Sequence, residues 1–153
     1  MYTPKVEYWM DYAVGYWNLW KYCDKIAKKY GIKKWDLYTI SEYDIVFSIE
    51  HAGKVPVKEF FSKVSAIANE LTKLLSKVVI DVWLKIPKEV YPQVSECLRM
   101  LSAELTESHD RKYYIAEIRK TIKEEKLNEL PKYIQCLQEI LRVAEVYSPF
   151  RFI

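Results

Sequence analysis

Between Thr3 and Gly31 the apolar residues recur at three-four spacing along two seams. Val6, Met10, Ala13, Trp17 and Trp20 form one; Tyr8, Tyr12, Tyr16, Leu19, Cys23, Ile26 and Tyr30 form the other. Glu7, Asp11, Asn18, Lys21, Lys25 and Lys28 are left on a narrow polar stripe. The pattern predicts a single helix over 4–30 that is apolar around most of its circumference. Thr3 supplies a capping hydroxyl, Pro4 suits the first helical position, and Gly31 suits the residue just past the last turn. Acids stand early and lysines late, which complements the helix dipole.

Ser41 and Asp44 have the spacing of a capping pair and Gly53 reads as a stop, which predicts a short helix over 42–52. Ile45, Phe47 and Ile49 also alternate as in a strand, and that alternative stays open. From Val57 through Phe60, Phe61, Val64, Ile67, Leu71, Leu74, Val78 and Val82 to Ile86 the three-four spacing is unbroken. It predicts a helix of about 45 Å, at about 1.5 Å per residue. The β-branched last stretch, Val78 to Ile86, has strand as its alternative. Three more helices are expected over 93–107, 110–128 and 131–147, the last with Pro131 at its first position. The expected fold is all-α, one domain over 1–153 built as a single bundle of five or six helices with an apolar tail at 148–153. Strand at 44–50 and 78–86 would make it α+β instead.

Composition narrows the class without altering that picture. The chain has 153 residues, 50% apolar and 29% charged, a balance far from that of disordered segments. No apolar run approaches the length of about 20 residues that a membrane span needs, and the first residues lack the hydrophobic stretch of a secretion signal. A cytoplasmic protein is expected, or one held within an assembled particle, without a membrane. Lys and Glu are plentiful while Asn and Gln are scarce, the bias of thermophilic proteins. Cys23, Cys97 and Cys136 are scattered over apolar helix faces, and only His51 and His109 could join them. Neither a disulfide framework nor a structural metal is expected, and no cofactor is implied.

Familiar catalytic signatures are missing. Gly15, Gly31 and Gly53 are isolated, so no glycine-rich loop brings amides to a phosphate, and no metalloprotease, calcium-loop or hydrolase-elbow motif is present. Asp81, inside an apolar run, has the setting of a general acid or metal ligand. On a helix, however, Lys77 and Lys85 would flank it four residues away on either side, which makes it part of a surface ion-pair row. Glu42, Asp44, Glu50 and His51 have the residue types of a divalent-cation site, but capping and the helix dipole account for them. His109 to Arg111 read as a loop that starts a helix.

Two basic features suggest nucleic acid. Lys21, Lys25, Lys28, Lys29, Lys33 and Lys34 surround Tyr22, Tyr30 and Trp35, a set able to neutralise phosphates and stack bases. Lys112, Arg119, Lys123 and Lys126 would share one helical stripe, diluted by Glu117, Glu124 and Glu125. The aromatic surplus suggests association as well: Tyr8, Trp9, Tyr12, Tyr16, Trp17 and Trp20, with Phe150, Phe152 and Ile153 at the end, are the expected interface residues. The function expected is that of a non-enzymatic helical assembly or interaction protein, self-associating or bound to a protein partner, with nucleic-acid contact as in a coat or nucleoprotein subunit. A small metal-dependent nuclease and a regulatory or inhibitory binding module are the alternatives.

Overall fold

The computed structural model describes residues 5–11, 15–40, 44–50 and 57–146. In its first segment alternation governs, and three-four spacing does not. Val6, Tyr8 and Met10 are buried in the main core while Glu7 and Trp9 face the other way, so Lys5–Asp11 is a strand, β1. The chain is described again from Gly15, whose φ of 83° suits a residue without Cβ, and helix α1 follows over Tyr16–Lys29. The expected helix over 4–30 is thus a strand and a shorter helix. Its predicted end does occur: Gly31 is left-handed, its N–H donates to the Lys28 carbonyl, and Ile32 N–H donates to the Ala27 carbonyl. These two bonds make the Schellman stop that a glycine past the last turn favours.

The next elements are β2 (Lys34–Thr39), β3 (Asp44–Glu50), α2 (Val57–Leu75) and β4 (Lys77–Pro87). Strand is therefore the alternative that holds at 44–50 and at 78–86, and Asp44 opens a strand where it was expected to cap a helix. Then come α3 (Tyr91–Met100), β5 (Glu104–Glu107), β6 (Tyr113–Lys123), a 3₁₀ stretch (Glu124–Glu129), α4 (Leu130–Leu141) and β7 (Glu145–Val146). The helices expected over 93–107 and 131–147 are each shorter, and 110–128 is mainly strand. The all-α bundle is overturned: the protein is α+β, with four α-helices among the described residues. Gly53 and the apolar tail at 148–153 lie outside those residues.

All pairings are antiparallel, and the sheet runs β2-β3-β1-β4-β6-β5. The two residues of β7 pair with Leu84 and Lys85 of β4, continuing the line of β1. Helix α1 connects β1 to β2 across β3, and α2 connects β3 to β4 across β1. The first six elements therefore interleave as a ferredoxin-like split βαβ arrangement, which β6 and β5 extend beyond β4. One face of the sheet carries Leu37, Ile45, Phe47, Ile49, Val6, Tyr8, Met10, Ile80, Val82, Leu84 and Ile118 into a core closed by residues of all four helices. The Tyr8 hydroxyl donates to the Val64 carbonyl at 2.8 Å, fixing α2 over β1.

Phe47 has no exposed surface and meets both Tyr8 and Trp35 ring to ring, so truncating it opens a cavity at the centre of the core. Phe47→Ala is expected to cost about 3–5 kcal/mol in urea unfolding. Ile40→Ala, at a half-exposed position, should cost less than about 0.5 kcal/mol. Similar losses at the two positions would contradict the strand assignment of 44–50.

Candidate functional site

Helix α1 buries Leu19, Cys23, Ile26 and Ala27 and turns Trp17, Lys21, Lys25 and Lys28 outward. Trp17 is 71% exposed and Trp20 38%, an unusual cost for the two largest side chains on one helix. Both are nevertheless held. The Trp17 ring meets Tyr16 edge-on at 5.4 Å, and the Tyr16 hydroxyl is tied to the Leu37 carbonyl at 2.9 Å. Trp20 lies 5.7 Å from Trp35, which meets Phe47 of the core. The ridge is thus a pair of indoles supported from below.

The six lysines of the basic cluster are all exposed. Lys28 pairs with Asp24 at 2.9 Å, Lys29 with Glu70 at 3.2 Å and Lys34 with Glu50 at 3.4 Å. Lys21, Lys25 and Lys33 make no ion pair among the described residues, and they hold the uncompensated charge of this edge. Tyr30 and Trp35 are half-buried supports, not free stacking surfaces.

Other expected site residues are dispersed. Arg119 and Lys123 lie on β6, Lys112 precedes it and Lys126 is in the 3₁₀ stretch, so the proposed helical stripe does not exist. Tyr8 belongs to the core, and Trp9 lies on the opposite sheet face. Tyr12, Phe150, Phe152 and Ile153 fall outside the described residues. The cation-site candidates separate too: Asp44 and Glu50 are at opposite ends of β3, about 20 Å apart at strand spacing, while Glu42 and His51 are outside the described residues. No group of three His, Cys, Asp or Glu among the described residues is placed to hold a metal ion.

The second face of the sheet carries no described helix, yet Glu7, Val46, Ser48 and Asp81 are buried on it. Long neighbours lie over these shorter side chains. Tyr38 donates its hydroxyl to Glu7, and Arg119 reaches across the Trp9 ring at 4.5 Å to donate to Asp81 Oδ2 at 3.0 Å. Asp81 is therefore no member of a surface row with Lys77 and Lys85; it is 4% exposed on a central strand. Burial first, then the adjacent Glu117 carboxylate, push its carboxyl up to about 7, against the pull of Arg119. Sequence spacing missed this because β4 was expected to be helical.

RNA-recognition modules with a four-stranded sheet stack bases on aromatic residues of the open face. Here the corresponding face sets Glu7, Asp36, Asp81 and Glu117 around Trp9, and carboxylates repel phosphates. The outer ridge of α1 is the better anion-facing surface. No helix among the described residues is long and apolar enough to cross a membrane. Comparison with family models, curated proteins and solved structures finds no match for this chain.

An acid that titrates near 7 when folded and near about 4 when unfolded binds an extra proton in the folded state between those limits. Stability attributable to Asp81 is therefore full below about pH 4, falls as pH rises to about 7, and is level above that. Asp81→Asn should flatten this decline, so that its advantage over the natural chain in urea midpoint is larger at about pH 8 than at about pH 5. Parallel pH profiles for the two proteins would show that Asp81 titrates as an ordinary carboxylate.

Proposed function

We propose that this chain is a non-enzymatic binding protein that holds single-stranded nucleic acid along the outer ridge of α1. The observation that carries the reading is Trp17, 71% exposed on a supported ring, one helical turn from Lys21. Unpaired bases offer a π-face to an indole whatever their sequence, and lysines without protein partners can release counterions from the phosphates. Lys25 and Lys33 extend the positive surface along the same edge. Glu7, Asp81 and Glu117 do meet on the second sheet face, but Tyr38 already engages Glu7 and Arg119 engages Asp81, and no group of three among the described residues is placed to hold the metal that phosphoryl chemistry requires, which argues against the nuclease alternative. The same ridge could serve a protein partner, but the lysine excess favours an anion.

Fluorescence anisotropy with a labelled oligothymidylate tests this. Binding should weaken with salt, and Lys21→Ala together with Lys25→Ala should lower the logarithmic salt slope by about 0.7 per lysine removed. Trp17→Ala should cost about 1–3 kcal/mol of binding at every salt concentration. No binding at low salt, or binding indifferent to Trp17→Ala, would sink the reading. A concentration-dependent dimer abolished by Trp17→Ala, with no oligonucleotide bound, would assign the ridge to self-association.

A further inference from the structure

Helices α3 and α4 pack against each other. Leu101, just past the end of α3, shares a cleft wall with Tyr133 and Cys136 of α4, so the two helices meet through these turns. Cys97 stands one turn before Leu101, and its thiol lies within hydrogen-bond reach of the Cys136 thiol. Both thiols are free. They are 39 positions apart in the chain, with β5, β6 and the 3₁₀ stretch between them, so only the packing of α3 on α4 brings them together. Sulfurs that meet between two packed helices are the arrangement from which a disulfide forms with little backbone movement.

Exposure differs within the pair. Cys97 is half-buried, whereas Cys136 is 7% exposed, so a reagent from solvent meets Cys97 first. Burial, then the Cys136 thiol, then the Glu139 and Glu96 carboxylates push the Cys97 thiol up to about 12. Thiolate is therefore scarce near neutral pH, and exchange is slow there and faster as pH rises. The pair suits a bond that forms slowly and is kept. Cys23 is the natural comparison: burial pushes its thiol up to about 12 as well, but it lies on α1 with no exposed surface, while the other two cysteines are on α3 and α4.

We propose that Cys97 and Cys136 form a conditional cross-link, an intramolecular disulfide made by exchange with a small-molecule disulfide such as oxidised glutathione. Cys97 Sγ, its proton lost to water, attacks one sulfur of the reagent and expels the first glutathione thiolate. Cys136 Sγ, deprotonated in turn, attacks Cys97 Sγ and expels the second. Two protein thiols are oxidised, and one small-molecule disulfide is reduced to two thiols. The new bond ties α3 to α4 and closes the segment that carries β5 and β6 into a loop, which restrains the unfolded chain. The cross-link does not rest on the nucleic-acid reading.

Incubating the full chain with oxidised glutathione at about pH 8.5, then alkylating it after denaturation, tests this. Cys23 should remain as the one alkylated thiol, and peptide mapping should join Cys97 to Cys136. The unfolding temperature should rise by about 5 °C or more and return on treatment with dithiothreitol. Cys23→Ser should form the same bond with the same rise. Cys136→Ser should stop at a glutathione adduct on Cys97, without the rise. The proposal is overturned if all three thiols stay open to alkylation, if the bond joins Cys23 or links two chains, or if the cross-linked chain unfolds at no higher temperature than the reduced one.

Discussion

Strand β1 is hydrogen-bonded on both sides, to β3 through seven residue pairs and to β4 through four. A strand so placed is fixed in register by two neighbours, and a shift of one residue would turn Val6, Tyr8 and Met10 out of the core and Glu7 and Trp9 into it. Both crossovers depend on this. Helix α1 must leave the end of β1, pass β3 and return to β2, while α2 must leave β3, pass over β1 and enter β4. The bond from Tyr8 to the Val64 carbonyl holds the second crossover directly above the strand it spans.

The central position of β1 also explains why its polar residues behave as they do. Glu7, Ser48 and Asp81 stand side by side on paired strands, with Arg119 next in the row across β6. In water these side chains would be independent. Held in one cross-strand row, they are desolvated by their neighbours and must share partners. Arg119 serves Asp81 through its guanidinium and covers Trp9 with its flat face. Charge on this face is therefore used internally, whereas Lys21, Lys25 and Lys33 at the α1 edge make no ion pair among the described residues.

Much of the helical part was legible in the sequence. Gly31 stops α1 where its freedom to adopt a left-handed φ predicts, and Pro131 stands in the first turn of α4. Two other helices stop without that signal. Ser76 and Ser102 take left-handed φ values of 68° and 53° just past α2 and α3, and in both places the N–H bonds back into the last turn. A serine gives no hint of this, so three-four spacing was followed from α2 straight into β4. β1 was hidden for a related reason: Val6, Tyr8 and Met10 fit a period of two, but Met10, Trp17 and Trp20 also fit a helix, and Gly15 alone marks the break. Local propensity lost to pairing that only distant segments provide.

Site legibility divides along the same line. The outward lysines of α1, Lys21, Lys25 and Lys28, lie within about two helical turns, so local spacing was enough to bring them together even when the element was drawn too long, but Trp17 was assigned to an apolar seam and its exposure beside them was not seen. Asp81 was noticed for its apolar setting but given the wrong neighbours, because its true partners Arg119 and Glu117 come from a strand that was expected to be a helix. A cleft of about 720 Å³ at the unpaired edge of β6 could not be seen at all. Leu101, Lys120 and Tyr133 are separated by 19 and 13 positions in the chain, and they meet only because β6 outruns β5 and leaves part of its edge unpaired. An exposed strand edge normally invites aggregation and is blunted by charge or covered by another element. Here the end of α3, the 3₁₀ stretch and the start of α4 cover it incompletely, and the cleft is the space they leave.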